Sequence, residues 1–185
     1  MSTTYENVVK SFNNDLFLPK RNKYVNDKFD FNIEQKYNND NEKFKPNGFW
    51  FGCWNSWQKW TSNEMPNLYN QYIKVLSISF KHNVTTDILN SDPNKILVIS
   101  TLNDFDTFTK KYHIIDHIID WGLVSQHYAG IEICRDDPDD PYFHERRYTD
   151  MWWYSWDAAS GCIWNLKPVI KSVDFLCNKE EIKIK

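Results

Sequence analysis

The composition of the chain changes abruptly at Lys45-Pro46-Asn47-Gly48, and all nine tryptophans lie after that point. The residues before it are mainly polar, whereas the Pro-x-Gly turn leads directly into the aromatic run Phe49-Trp50-Phe51, which is typical of a buried strand. We therefore expect the chemistry of this protein to be concentrated in its tryptophan-rich part.

The length and composition predict a single domain over residues 1–185, because 41% apolar and 17% aromatic residues suffice for one core. We expect a short strand near residues 7–12 and then a long or mobile connection over residues 20–45. A formal charge of -3 lacks the basic signature of a protein that binds nucleic-acid phosphates. No apolar run approaches the roughly 18 residues of a membrane span, and the first ten residues lack a secretory signal. These features predict an intracellular, cytoplasmic protein without a membrane partner.

The four cysteines are widely separated and form no Cys-x-x-Cys pair, which argues against a zinc ribbon or a redox dithiol. With no sign of secretion, we expect buried free thiols rather than two disulfides. The spacing of His113, Asp116, His117 and Asp120 could place metal ligands on one helical face. A solvated helix face is the better interpretation, and we expect no metal site.

The periodicity predicts an α+β fold with split sheets, in the order strand, aromatic helix, strand, strand, helix, helix, strand, loop, strand. Trp54, Trp57 and Trp60 recur every three residues and predict a helix that ends at Pro66. Thr101 and Asp104 predict a capping box that opens a further helix. The remaining predicted segments are strands at 73–80, 96–99 and 128–134, a helix at 115–126, a loop at 135–147, and apolar segments at 151–156, 162–164 and 168–176.

Three motifs over residues 45–172 resemble the diphtheria-toxin and poly-ADP-ribose-polymerase class of ADP-ribosyltransferases. Gly48-Phe49-Trp50-Phe51-Gly52 followed by Ser56-Trp57 is similar to a strand and helix of that class. Tyr128-Ala129-Gly130-Ile131-Glu132-Ile133 resembles a late strand, and Ser160-Gly161-Cys162-Ile163-Trp164 resembles the terminal catalytic strand. The same region is similar to uncharacterised bacteriophage and large-virus proteins, which implies the host cytoplasm for a viral chain.

The resemblance implies that NAD is the substrate and that its nicotinamide ring lies between two aromatic side chains. By position these are Trp50 and Trp57, with Ser56 beside the amide and Gly48 opening the motif. The resemblance places Ser11 on the first strand as a further cofactor-binding residue, although the usual histidine is missing.

The catalytic glutamate of the class has no counterpart, because Ser160 and Gly161 stand at its place. Asp157 is the nearest acid, and Glu132 on the preceding predicted strand is the second candidate. Asp157 could equally be a turn residue, Glu132 an outward solvated side chain, and the tryptophans simple core residues.

Three functions follow from these readings. The first is transfer of ADP-ribose from NAD to a protein or nucleic-acid acceptor, and the second is a catalytically inactive binding module with the same fold. The third is an aromatic platform that binds single-stranded nucleic acid or glycan.

Overall fold

The computed structural model describes residues 18–40, 43–114, 118–135 and 143–182, and it confirms a mixed α+β fold. The strands are β1 (Arg21–Val25), β2 (Phe49–Cys53), β3 (Lys74–Phe80), β4 (Thr85–Thr86), β5 (Asp92–Ile99), β6 (Tyr128–Ile133), β7 (Ser160–Ile163) and β8 (Ile170–Asn178). The helices are α1 (Ser56–Glu64), α2 (Pro66–Tyr69), α3 (Leu102–Tyr112), α4 (Trp121–His127) and α5 (Met151–Tyr154). None of the described helices is long and apolar enough to cross a membrane.

The eight strands form one sheet in the order β4-β5-β6-β7-β2-β1-β3-β8. Strands β4, β5 and β6 are parallel, and the remaining neighbours are antiparallel. The parallel pair of β5 and β6 requires a crossover connection, and α3 and α4 provide it. The predicted capping box at Thr101 and Asp104 is confirmed at the start of α3.

The sheet consists of two blocks of strands, β4-β5-β6-β7-β2 and β1-β3-β8, which are joined by a short ladder between β2 and β1. In one block, β2 pairs with β7 from Phe49↔Ile163 to Gly52↔Ser160. In the other, β1 pairs with β3 from Asn22↔Ser77 to Val25↔Lys74. Between the described strands β1 and β2, the ladder consists of Arg21↔Cys53 and Asn22↔Gly52. The sheet is therefore continuous, but β1 and β2 diverge beyond these two pairs and leave a cleft.

The larger core lies against the block that contains β2, β5, β6 and β7. Its centre is a group of fully buried aromatic rings from α3, α4 and the segment around α5. Phe105 stacks on Trp152 with ring centroids 5.0 Å apart. A smaller apolar cluster lies beside β1 and β3, where Tyr24 and Val75 pack with Trp57, Tyr69 and Tyr72.

Strand β1 was not predicted, since residues 20–45 were expected to be a connection. Its sequence Arg-Asn-Lys-Tyr-Val is polar, but the strand lies between β2 and β3 and its backbone groups pair on both sides. The predicted helix over 115–126 instead begins at Trp121, where Asp120 caps it by accepting from the Leu123 amide. The strand predicted near 7–12, together with Ser11, Asp116 and His117, lies outside the described residues.

The expectation of four free thiols was wrong for one pair, because Cys53 and Cys134 form a disulfide. Their Cα atoms are 6.6 Å apart although 81 residues separate them in sequence. The pairing arises because Cys53 ends β2 and Cys134 follows β6, and both strands flank the start of β7. Cys162 and Cys177 are buried free thiols, as expected.

Candidate ligand-binding site

A cavity of about 280 Å³ lies where β1 and β2 diverge. Side chains from both strand blocks, from α1 and from the segment before β7 form its walls. The lining residues are Lys23, Tyr24, Lys45, Trp50, Phe51, Gly52, Trp57, Tyr72, Trp156, Asp157, Ala158 and Ser160. A concave site with aromatic walls and a few polar groups is the usual form of a small-molecule site.

Trp50 and Trp57, the two predicted sandwich residues, are half-buried and line this one cavity. Side chains alternate along β2, so Phe49 and Phe51 are buried on one face of the sheet, whereas Trp50 projects to the other face and meets Trp156. Trp57 lies in the first turn of α1, directly above Gly52. A Cβ at Gly52 would lie 2.8 Å from the Trp57 Cβ, so only glycine lets the helix approach the strand this closely.

Tyrosines hold Trp57 in place from the β1 side of the cavity. Burial raises the pKa of the Tyr72 hydroxyl, and the neighbouring Trp57 side chain partly opposes this rise. Tyr24 packs on Tyr72 with ring centroids 5.8 Å apart, and burial strongly raises the pKa of Tyr24. This wall is therefore neutral and aromatic at physiological pH.

Asp157, the predicted acid, lines the cavity in an ion pair with Lys45. The Lys45 Nζ lies 2.8 Å from Asp157 Oδ2, and the two side chains are 38% and 31% exposed. The same Nζ lies 6.0 Å from the Trp50 ring centroid. The carboxylate and its counter-ion therefore stand together beside one of the two tryptophan rings.

Lys23 connects the two blocks where their backbones no longer pair. Its Nζ donates to the Trp50 carbonyl at 2.8 Å and lies 4.8 Å from the Phe49 ring centroid. Burial lowers the pKa of Lys23 to about 8. The described lining residues thus include two lysines, Lys23 and Lys45, and one carboxylate, Asp157.

Glu132, the second predicted acid, is fully buried in β6 and is not among the cavity-lining residues. The interpretation as an outward solvated side chain is therefore wrong. Arg21 Nε donates to its Oε2 at 2.5 Å, and Lys20 Nζ lies 3.0 Å from its Oε1. All six residues of β6 are buried, so an alternation rule for half-exposed strands does not apply here.

Ser56 and Gly48 support the site without lining the cavity. The Ser56 hydroxyl donates to the Ala159 carbonyl at 2.6 Å and ties the start of α1 to the segment before β7. A Cβ at Gly48 would lie 2.6 Å from Cys162 Sγ, so glycine permits the close packing of β2 and β7.

Sequence reasoning gave no site role to several cavity residues, among them Lys23, Tyr24, Lys45, Tyr72 and Trp156. Lys23 and Tyr24 belong to the unpredicted strand β1. Tyr72 immediately precedes a predicted strand, and Trp156 is adjacent to Asp157, so proximity to predicted features was the available signal. Trp156 packs against Trp50 with ring centroids 4.8 Å apart.

No known protein family, no curated protein and no solved structure matches this chain. Among the described residues, no group of three or more histidine, cysteine or acidic side chains could hold a metal ion.

Proposed function

We propose that this chain is an ADP-ribosyltransferase-like domain that binds NAD as a substrate and transfers ADP-ribose to a protein or nucleic-acid acceptor. The observation that carries this proposal is the meeting of Trp50, Trp57 and Asp157 at one cavity between two diverging strands. The three residues come from different elements, and the motif resemblance selected all three.

The chemistry of the cavity suits a flat cation. A pyridinium ring gains stacking and cation–π attraction from tryptophan faces, on the order of 1 kcal/mol per face. A volume of about 280 Å³ suits the nicotinamide end of the ligand, so the adenosine end extends outside the cavity.

In this proposal Asp157 stabilises the positive charge that develops on the ribose when the bond to nicotinamide breaks. A fixed carboxylate beside that carbon is the electrostatic contribution such a reaction needs. Nicotinamide leaves with the bonding electron pair, and the acceptor nucleophile forms the new bond to the ribose carbon. Since Lys45 forms an ion pair with Asp157, the carboxylate becomes available only after this ion pair opens.

The same contacts support an inactive binding module as the second candidate. Asp157 is paired with Lys45, and Glu132 is held by Arg21 inside the core. A chain whose two candidate acids are both engaged binds the ligand without cleaving it, unless binding changes one of these pairs.

Titration of tryptophan fluorescence with NAD tests the proposal. We expect quenching in the wild type and about tenfold weaker binding in Trp57→Leu, because one aromatic face is lost. Trp60→Leu is the matched control, since Trp60 lies on the same helix and packs on Trp57 but does not line the cavity. Absence of quenching at millimolar NAD in the wild type contradicts the proposal.

Label transfer from NAD separates the two candidates. Labelling of an acceptor that disappears in Asp157→Asn establishes the transferase. NAD binding without any label transfer or nicotinamide release establishes the binding module.

A further inference from the structure

The ion pair between Lys45 and Asp157 places a cation and an anion side by side at the edge of the cavity. A pyridinium nucleotide presents the complementary arrangement, a cationic ring followed by an anionic phosphate. Lys45 Nζ lies over the Trp50 ring, 6.0 Å from its centroid, so a ligand ring seated on that face of Trp50 would contact Lys45. A ring seated on Trp50 would therefore leave Lys45 close to the next groups of the same ligand.

We propose that Lys45 is the phosphate-binding residue of this cavity, and that it leaves Asp157 for the ligand's phosphate when a nucleotide binds. This inference rests on the proposed function. It makes the ion pair a specificity determinant, since a nucleoside cation without phosphate leaves Lys45 on Asp157.

The exchange requires an ion pair that opens readily. Both side chains are about one-third exposed, and ion pairs in contact with water contribute little net stability. Lysine also carries its charge on a flexible stem, so Nζ can move from one oxygen ligand to another without backbone rearrangement. The phosphate supplies a replacement anion with a higher charge than one carboxylate.

The neighbouring cations are less suited to this role. Lys23 Nζ is held by the Trp50 carbonyl and lies over the Phe49 ring. Arg21 is bonded to Glu132 and lies 4.0 Å from the Phe80 ring centroid. Moving Lys23 would leave a carbonyl acceptor without its hydrogen bond, and moving Arg21 would remove a counter-ion from a buried carboxylate. Either change costs more free energy than opening a partly exposed ion pair.

Three related ligands test the assignment, namely nicotinamide riboside, nicotinamide mononucleotide and NAD, each titrated against tryptophan fluorescence. In Lys45→Met we expect about tenfold weaker binding of the mononucleotide and of NAD, because a charge-assisted hydrogen bond is lost. Binding of the riboside should be unchanged or slightly tighter. Lys45→Arg should restore the preference for the mononucleotide.

Asp157→Asn supplies the opposite perturbation. Without the carboxylate, Lys45 no longer has to leave a partner, so the ratio of the riboside Kd to the mononucleotide Kd should rise above the wild-type ratio. Lys43→Met is the matched control, because Lys43 is an exposed lysine two residues away that does not line the cavity.

The outcomes separate this inference from the proposed function. A wild-type protein that binds none of the three ligands overturns both. If the wild type binds NAD but Lys45→Met weakens binding of the riboside and of the mononucleotide equally, the role of Lys45 is overturned while the proposed function stands. The same conclusion follows if Lys43→Met weakens mononucleotide binding as much as Lys45→Met does. Thermal unfolding of each variant identifies any loss of fold.

Discussion

Two sets of tryptophans in this protein have different surroundings, and Trp156, which is fully buried but also lines the cavity, lies between them. Trp121, Trp152 and Trp153 are at most 1% exposed and pack among other rings in the main core. Trp50 and Trp57 are half-buried and line the cleft between the strand blocks. The same residue type therefore serves packing in one region and leaves ring surface available in the other.

The difference follows from how the ring surfaces are covered. In the core, Phe105 stacks on Trp152 at an interplanar angle of 15°, and the Trp153 N–H donates to the Phe143 carbonyl at 3.1 Å. In the cleft, Trp57 packs against the small apolar cluster that contains Tyr24, but the ring also borders the open space where the strands diverge. A high number of aromatic residues in a segment is thus a poor indicator of a binding site, whereas a gap between strands that aromatic rings line is a good one.

The largest expected effect comes from truncating one member of each group. Trp152→Ala should lower the free energy of unfolding by about 4 kcal/mol, because it removes a fully buried ring and leaves a cavity. Trp57→Ala should cost about 2 kcal/mol, since its ring is partly exposed to solvent and loses less buried surface. Urea unfolding followed by circular dichroism measures both. Equal losses for the two variants would remove the distinction between the groups.

The disulfide has the next largest expected effect, and it lies where the cleft wall meets the core. Replacing Cys53 and Cys134 by serine should lower the free energy of unfolding by about 3 kcal/mol, because an 81-residue separation is no longer closed covalently. Denaturant unfolding with and without dithiothreitol provides the measurement. Reductant should bring the wild type to the level of the variant and leave the variant unchanged.

The smallest expected effect concerns Lys23, the charged group that the cleft buries. Since the pKa of Lys23 is lowered from 10.5 to about 8, the unfolded chain binds more protons between these values, and wild-type stability rises with pH there. Lys23→Met removes this dependence. Its stability relative to wild type should therefore be highest below pH 8 and fall by about 2 kcal/mol towards pH 9.5.

Thermal unfolding at a series of pH values measures that difference, and Lys59→Met on the exposed side of α1 controls for loss of one positive charge. If the difference in unfolding free energy between Lys23→Met and wild type does not change with pH, burial in the cleft does not lower the pKa of Lys23.

Local sequence signals predicted a substantial part of the fold. The tryptophan spacing identified α1, the Thr101–Asp104 box identified α3, and alternation identified β3, because each signal arises within one segment. Strand β1 and the disulfide depend on partners far along the chain, which periodicity cannot reveal.

The candidate site shows the same limit. Trp50, Trp57 and Asp157 were identified from motifs, and the structure brings them to one cavity. Lys23 and Tyr24 were missed because β1 reads as a polar connection. Glu132 was misjudged because the arginine that neutralises it lies 111 residues earlier in the chain.

The closed end of the cleft combines three kinds of bond within a few residues. Arg21 forms both a ladder pair with Cys53 and an ionic bond with Glu132, and Cys53 is covalently attached to Cys134. Because the blocks are fixed to each other at this end, any relative rotation would change the distance between β1 and β2 most at the opposite end, where the two strands no longer pair. The width of that open end, which Trp50 lines, is therefore the dimension of the cavity that backbone pairing constrains least.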